Sequence, residues 1–254
     1  MSGVVFDVRS DVSAVTRHLS SLANEQIPFA TALALTRTAQ FAQGKLKDEL
    51  RRAFDRPTPY TLNATFVQPA TKQRLWALVK LKDEAVKGNP AVRFLIHQIR
   101  GGGRTVKGFE KLLQRAGVMP EGWFAVPASG APLDQYGNVR GGTINRILSQ
   151  LQASRDPLTR ETTAAKAKRN RTRTAGRYFV AYPGSVRTSH LAPGIYERLS
   201  AFGGSGVRPV FLYVQRAPRY RRRLRFLEVT DQAARMRFPI EFALAARQAI
   251  RTAR

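Results

Sequence analysis

Apolar positions follow two periods along this chain, and they predict strands in its middle and long helices towards both ends. Residues 209–214 form a continuous apolar and aromatic run, which predicts a strand buried on at least one face. After it, helical spacing predicts a long terminal helix with an apolar stripe. The residues of that stripe are Met236, Ile240, Ala243 and Leu244, widened by Phe242, Ala246, Ala249 and Ile250.

A second long helix is predicted near the beginning of the chain, from about Pro28 until Pro57 ends it. Its apolar positions are Leu35, Ala39, Ala42, Leu46 and Leu50. Residues 31–39 are rich in small side chains, which favours core packing and also suits a flat surface close to a sheet or another subunit. Before this helix, residues 4–8 predict a short edge strand, and Ser10 or Asp11 caps a first short helix.

The segments between the long helices predict strands and short helices. Residues 74–82 alternate as a half-buried strand, and residues 92–97 form either its hairpin partner or a short helix that begins at Pro90. Residues 109–113 predict a helix that stops at Gly117, and Thr143 caps another that carries Ile147. Residues 178–182 return to strand character, Pro193-Gly194 predicts a turn, and residues 203–206 predict a loose connection.

Two segments lack regular periodicity. Residues 101–142 are rich in Gly and Pro but contain several large apolar side chains, which disordered linkers seldom carry. They predict an ordered loop insertion that packs on a neighbour, within the subunit or across an interface. Residues 154–177 are almost without apolar side chains and predict a basic extended arm, with a solvated helical face or a flexible loop as the open alternatives.

These elements together predict an α+β fold: an antiparallel β-sheet packed by long N- and C-terminal helices, with an irregular Gly/Pro-rich middle and a basic extended arm. The length of 254 residues is compatible with one large domain or two small ones, and we interpret residues 1–254 as a single domain. No run of about 18 apolar residues is present, so membrane insertion is not expected. Residues 1–7 lack a charged region before an apolar core, so secretion is not expected either.

The charge of the chain is extreme, with 43 Lys and Arg against 17 Asp and Glu, a net charge of +26. Residues 166–225 alone contribute +14, and such an excess predicts salt-sensitive attraction to polyanions or acidic protein surfaces. The candidate contacts with DNA or an acidic partner are Lys166, Lys168, Arg169, Arg171, Arg173, Arg177, Arg219, Arg221, Arg222, Arg223 and Arg225.

Residues that could perform chemistry are sparse. The chain has no Cys, and His18, His97 and His190 lie far apart without a carboxylate at metal-ligand spacing. The Gly-rich residues 101–108 lack the Lys-Ser or Lys-Thr of a P-loop. We therefore expect no catalytic residues, no metal and no cofactor, and an enzyme hypothesis would depend on the charge alone.

Two stretches carry a family resemblance: residues 32–39 in the first long helix, and residues 209–214 followed by Arg219-Tyr220-Arg221 and the closing helix. They resemble the minor tail protein Z or tail-completion group of tailed bacteriophages. The middle of the chain, residues 126–138 with 144–149, resembles a segment common in uncharacterised phage and prophage structural proteins. The resemblance implies a non-enzymatic structural subunit at the tail or head–tail junction, present as a homo-oligomeric ring. It implies partners among other tail or neck proteins, and a location in the virion after assembly in the host cytoplasm.

The basic excess has two uses in such a particle: it can line a channel for DNA, or it can dock against acidic neighbours. The alternative function is non-specific binding of double-stranded DNA outside any particle. No zinc finger, basic zipper or aromatic RNA-binding motif is present, so DNA contacts are expected on the backbone only.

Overall fold

The structure is a computed structural model that describes residue 20 and residues 26–85, 88–172, 177–201 and 204–252. The predicted strand at residues 4–8 and the start of the first short helix lie outside the described residues. In the described part, the fold is mixed α and β, with seven α-helices and small antiparallel sheets. None of the helices in these ranges is long and apolar enough to cross a membrane.

Contacts within the chain group it into two compact units. Residues 1–99 with 222–254 form unit 1, and residues 100–221 form unit 2. The single-domain interpretation stays a prediction beside this grouping, and each unit is described by itself.

Unit 1 is built on two helices of equal length, α1 (Ile27–Ala53) and α7 (Phe226–Thr252). They run antiparallel, because the start of α1 contacts the end of α7 and Glu49 near the end of α1 contacts Arg225 just before α7. Their closest seam consists of alanines: Ala30, Ala34, Ala245 and Ala249 form one buried cluster. Alanine side chains allow two helix backbones to approach closely, so the small residues of α1 are core, as predicted.

The predicted stripe of α7 only partly faces this seam. Ala249 is buried and Phe242 and Ala246 pack against the alanine cluster, but Met236, Ile240, Leu244 and Ile250 are 63%, 50%, 49% and 60% exposed. These four large side chains therefore lie outside the buried alanine cluster.

The remaining elements of unit 1 cover the other end of α1. They are α2 (Pro59–Leu62), β1 (Thr65–Gln68), β2 (Leu78–Leu81) and α3 (Ala91–Arg100). Strands β1 and β2 pair antiparallel, which confirms the strand predicted within residues 74–82. The hairpin arm predicted at residues 92–97 is wrong and the helix alternative is confirmed: Ala91 and Leu95, four residues apart, are both fully buried against Leu50 and Leu224.

Unit 2 contains a four-stranded antiparallel sheet in the order β4-β7-β6-β5. Its strands are β4 (Phe124–Pro127), β5 (Arg177–Ala181), β6 (Gly194–Ala201) and β7 (Gly204–Val214). The predicted strand at residues 209–214 is confirmed as the core of β7, where Val210, Phe211 and Tyr213 are buried. The loose connection predicted from residue 203 is wrong from Gly204 onwards, because that residue already pairs with Ala201.

Strand β6 was not predicted, because Pro193-Gly194 indicated a turn. In the structure the Tyr213 N–H donates a hydrogen bond to the Pro193 carbonyl at 2.8 Å, and β6 begins at Gly194, directly after Pro193. Gly194 is required there, since a Cβ atom would lie 2.2 Å from the Phe211 carbonyl oxygen. The glycine marks a close approach of two backbones, which sequence alone does not distinguish from a turn.

Two helices cover the sheet, α4 (Gly108–Arg115) and α5 (Gly141–Gln150), with Leu113 and Ile147 fully buried in the same apolar cluster as β7. Both helices were predicted, although α5 begins at Gly141 and so Thr143 is not its cap. The Gly/Pro-rich residues 101–142 contribute Ala125 and Ala131 to this cluster, so they pack within unit 2.

The remaining elements of unit 2 carry many of its basic side chains. Residues 163–172 form helix α6 (Thr163–Thr172), so the extended form predicted for this part of the arm is corrected to a solvated helix. Apolar side chains are nearly absent, and the helix buries no face. A short ladder pairs β3 (Gly102–Gly103) with β8 (Arg219–Tyr220).

Candidate interaction surfaces

Glutamate side chains are buried in both units, and arginines neutralise them. Glu110 in unit 2 is fully buried and binds the Arg104 guanidinium through two hydrogen bonds of 2.5 and 2.7 Å. Glu49 and Glu241 in unit 1 are paired with Arg225 and Arg237 at 3.2 and 2.7 Å. Because these acids are enclosed, they do little to offset the cations that remain on the surface.

The Glu110 carboxylate also accepts hydrogen bonds from the backbone N–H groups of Lys107 and Ala125, at 2.6 and 2.8 Å. Burial raises the pKa of Glu110, but the hydrogen bonds from Arg104 and the two backbone groups outweigh it, so the pKa lies below its ordinary value. The carboxylate is therefore ionised and joins β4 to the start of α4. This network is structural, and the sequence gives no signal that singles out Glu110.

The predicted contacts on and around α6 fall into three groups. Lys166, Lys168 and Arg171 are exposed. Arg169 instead forms a bidentate ion pair with Glu161, at 2.7 and 2.9 Å, which fixes its position on the helix. Arg173 lies outside the described residues.

Arg177 is half-buried at the first position of β5. Its position in a sheet strand gives it a structural role in addition to any contact with a partner.

The arginines of residues 219–225 belong to both units. Arg219 and Arg221 are exposed in unit 2, and Arg223 is exposed in unit 1. Arg222 pairs with Glu228, and Arg225 pairs with Glu49. Two of the five arginines predicted here as partner contacts are therefore already in ion pairs within the chain.

An open glycine ladder lies beside the exposed arginines of unit 2. Gly103 is the cross-strand partner of Arg219, and Gly102 is the partner of Tyr220. A Cβ atom at Gly102 would meet nothing within 4 Å, so the backbone there faces open space. A polyanion backbone can approach such a surface closely while arginines contact its phosphates.

A groove of about 330 Å³ lies on the α1–α7 pair within unit 1. Its floor is apolar and consists of Phe41 from α1 and Val229, Ala233 and Met236 from α7. The sequence predictions missed this groove, because its two walls come from helices almost two hundred residues apart. The only local signal is the helical spacing of Phe41, Lys45 and Arg52 along α1.

The rim of the groove is basic. Lys45, Arg52 and Arg225 stand around it, and Glu49, the one acid of its lining, is buried beside Arg225 and Arg52 at 3.2 and 3.8 Å. The Lys45 ammonium also lies 5.3 Å from the centre of the Phe41 ring. The groove thus combines an apolar floor with a net positive rim.

Exposed apolar side chains continue from the groove along α7. Met236, Ile240 and Leu244 are spaced four residues apart and are each about half exposed or more; we call them the α7 stripe. Residues at this spacing lie on one side of a helix.

Within the described ranges, no group of three or more His, Cys, Asp or Glu side chains is arranged to hold a metal ion. A comparison with protein-family models, curated proteins and solved structures finds no match for this chain.

Proposed function

We propose that this protein is a structural subunit of a tailed-phage particle, located at the tail or head–tail junction, where copies form a ring and contact other tail or neck proteins. The observation that carries the proposal is the α7 stripe, an exposed apolar side of a long helix whose opposite side is packed. Contiguous apolar surface of this kind marks a site of association with another protein.

The energetics of the stripe favour association. Met236, Ile240 and Leu244 keep half or more of their surface in water although smaller alanines of the same helix are buried. Burial of a fully exposed side chain of this size contributes about 1.5–3 kcal/mol, so burial of the exposed half of each contributes roughly half as much. A subunit whose role is to bind neighbours gains from presenting them, whereas a free monomer gains nothing.

The charge distribution supports a particle rich in polyanion or acidic neighbours. Each buried glutamate is cancelled by the arginine that pairs with it, so the net charge of +26 comes from the other charged side chains. Surface charge of one sign attracts DNA and acidic protein surfaces over a distance set by salt. The resemblance of residues 32–39 and 209–214 to tail-completion proteins supports the choice of particle.

The test begins with particles. Tailed particles are purified from host cells that carry this coding sequence in a phage genome, and their proteins are quantified by mass spectrometry. We expect several copies of the chain per particle. Its absence from mature particles would overturn the proposal.

A second experiment connects the particle to the stripe. The double variant Ile240→Asp with Leu244→Asp should lower both the oligomeric mass in solution and incorporation into particles, because it places carboxylates in an apolar contact. Mass is measured at high salt, which screens the repulsion between cationic copies. The matched control is Leu158→Asp with Val186→Asp, which alters two side chains about 90% exposed in unit 2.

Non-specific binding of double-stranded DNA is the second candidate function. Arg219 and Arg221, exposed beside the open glycine ladder of unit 2, favour it. Replacing both by Ser should weaken duplex binding equally for all sequences and reduce the slope of log affinity against log salt by about 2. Absence of duplex binding at low salt would exclude this function.

A further inference from the structure

We infer that the groove between α1 and α7 is a docking site for a segment of a different protein chain, one that presents an apolar side chain flanked by carboxylates. The inference rests on the proposed function in one respect, since it names the class of partner that a particle subunit would bind there. The evidence is the combination of floor, rim and charge within unit 1.

The floor selects an apolar group. Phe41, Val229, Ala233 and Met236 offer carbon surface, and about 330 Å³ is at the lower end of the volumes in which proteins enclose ligands. A leucine or phenylalanine side chain fits within such a space and removes apolar surface from water on both partners. A phosphate backbone would contact the rim but leave this floor uncovered.

The rim selects carboxylates. Lys45 and Arg52 are exposed at the groove on α1, and Arg225 stands opposite them. Glu49 is buried between arginines, so its charge is already compensated. The exposed rim therefore attracts acidic side chains, and complementary charge fixes both the choice and the orientation of a partner.

The local charge of the rim argues against the groove of a second copy as the occupant. Lys45, Arg52 and Arg225 surround the groove, so a symmetric contact between two grooves would bring like charges together. A different chain with an acidic amphipathic segment satisfies both floor and rim.

The test uses the full chain and labelled peptides, with binding followed by fluorescence polarisation. The first peptide is an amphipathic helix with Leu and Phe on one face and Glu on the other. Two matched peptides replace every Glu by Lys, or every Leu and Phe by Ser. A short DNA duplex is the fourth probe. We expect only the first peptide to bind the groove.

Charge reversal in the protein locates the binding. Lys45→Glu with Arg52→Glu should weaken the acidic peptide by about ten-fold or more, because attraction becomes repulsion at two rim positions. The matched control is Arg93→Glu with Lys111→Glu, which reverses two exposed charges that are not part of the groove lining and should leave peptide affinity unchanged. Circular dichroism confirms that both variants are folded.

Each other outcome overturns the inference. Equal binding of the Ser peptide would show that charge alone acts, and equal binding of the Lys peptide would show that the rim selects nothing. An equal loss in the control variant would remove the groove as the location. If the rim variants weaken binding of the DNA duplex but not of the peptide, the groove binds nucleic acid. If the rim variants abolish self-association of the protein instead, the occupant is a second copy.

The same protein preparations separate this inference from the proposed function. If the chain binds the peptide but is absent from particles, the docking site is supported and the particle role is overturned. If the chain is incorporated into particles but does not bind the peptide, the particle role is supported and the docking site is overturned. Met236 belongs to both surfaces, but the rim variants change neither Ile240 nor Leu244, and the Ile240→Asp with Leu244→Asp variant changes no residue of the groove. The two surfaces are therefore varied separately.

Discussion

The core of unit 2 and helix α7 of unit 1 differ in where their large apolar side chains lie. In unit 2, Ile147, Ile195, Val210 and Leu113 are fully buried between helices and sheet. In the α1–α7 pair of unit 1, alanines occupy the seam while Met236, Ile240 and Leu244 remain in water. The core of unit 2 is thus built from large side chains, whereas α7 keeps three of its large side chains exposed. This difference is the reason why we propose the α7 stripe as a surface for association with other molecules.

The largest expected effect is in the core of unit 2. Glu110→Ala should lower the free energy of unfolding by about 3–5 kcal/mol, because it leaves the buried Arg104 guanidinium without its counter-ion. Urea denaturation measures the change. The surface variant Asp55→Ala, whose ion pair with Arg56 is exposed, should change stability by less than about 1 kcal/mol. Equal effects of the two variants would contradict the structural role of Glu110.

A close approach of backbones in the same unit gives the next effect. Gly194→Ala should destabilise by about 3 kcal/mol, because the added Cβ would lie 2.2 Å from a backbone oxygen of β7. Gly142→Ala in α5 is the control: a Cβ there meets nothing within 4 Å, and alanine is the better helix former by about 1 kcal/mol. Thermal unfolding of both variants should shift in opposite directions, and a stable Gly194→Ala protein would contradict the β6–β7 packing.

Two variants of α7 test which face of this helix is buried against α1 and which is exposed. Ala245→Leu should cost about 1–3 kcal/mol, because a fully buried position between two helices gains three carbon atoms. Leu244→Ala, the adjacent position on the exposed side, should change stability by less than about 0.5 kcal/mol while weakening association. Chemical denaturation separates them. If Leu244→Ala is the more destabilising variant, the assignment of inner and outer faces is wrong.

The pH dependence of stability gives the smallest effect. The folded-state pKa of Glu110 lies below its unfolded value, so its contribution is present above the unfolded pKa, near 4.5, and is lost as the pH falls through the folded pKa. Stability should therefore decline on acidification below about pH 4.5. The Glu110→Gln variant should show a shallower decline in the same pH window. Identical slopes in urea titrations at several pH values would assign the acid sensitivity to other groups.

Much of the element content was predictable from local pattern. The strand at residues 209–214 follows from a continuous apolar run, and α1 follows from apolar spacing that Pro57 terminates. Residues 92–97 were ambiguous because a short apolar run suits either a strand or a helix. Strand β6 was missed because Gly194 serves a close approach of backbones, which has the same local signature as a turn.

The candidate surfaces were less predictable. Basic density marked residues 166–225, but three of the predicted contact residues, Arg169, Arg222 and Arg225, are in ion pairs with Glu161, Glu228 and Glu49. Two of these acids lie eight residues away or fewer, whereas Glu49 is far along the chain. Composition counts charges, and only distances show which of them are already compensated.

The amino-acid sequence by itself determined the net charge, the absence of thiol chemistry, the two long helices and the buried strand of the central sheet. These properties depend on composition or on neighbours within one turn or one strand, where spacing dictates which side chains share a face. The tertiary structure alone decided which face of α7 is inside, which arginines are paired and where the groove lies. Each of these depends on contacts between segments far apart in the chain, because burial is a property of the partner as much as of the residue.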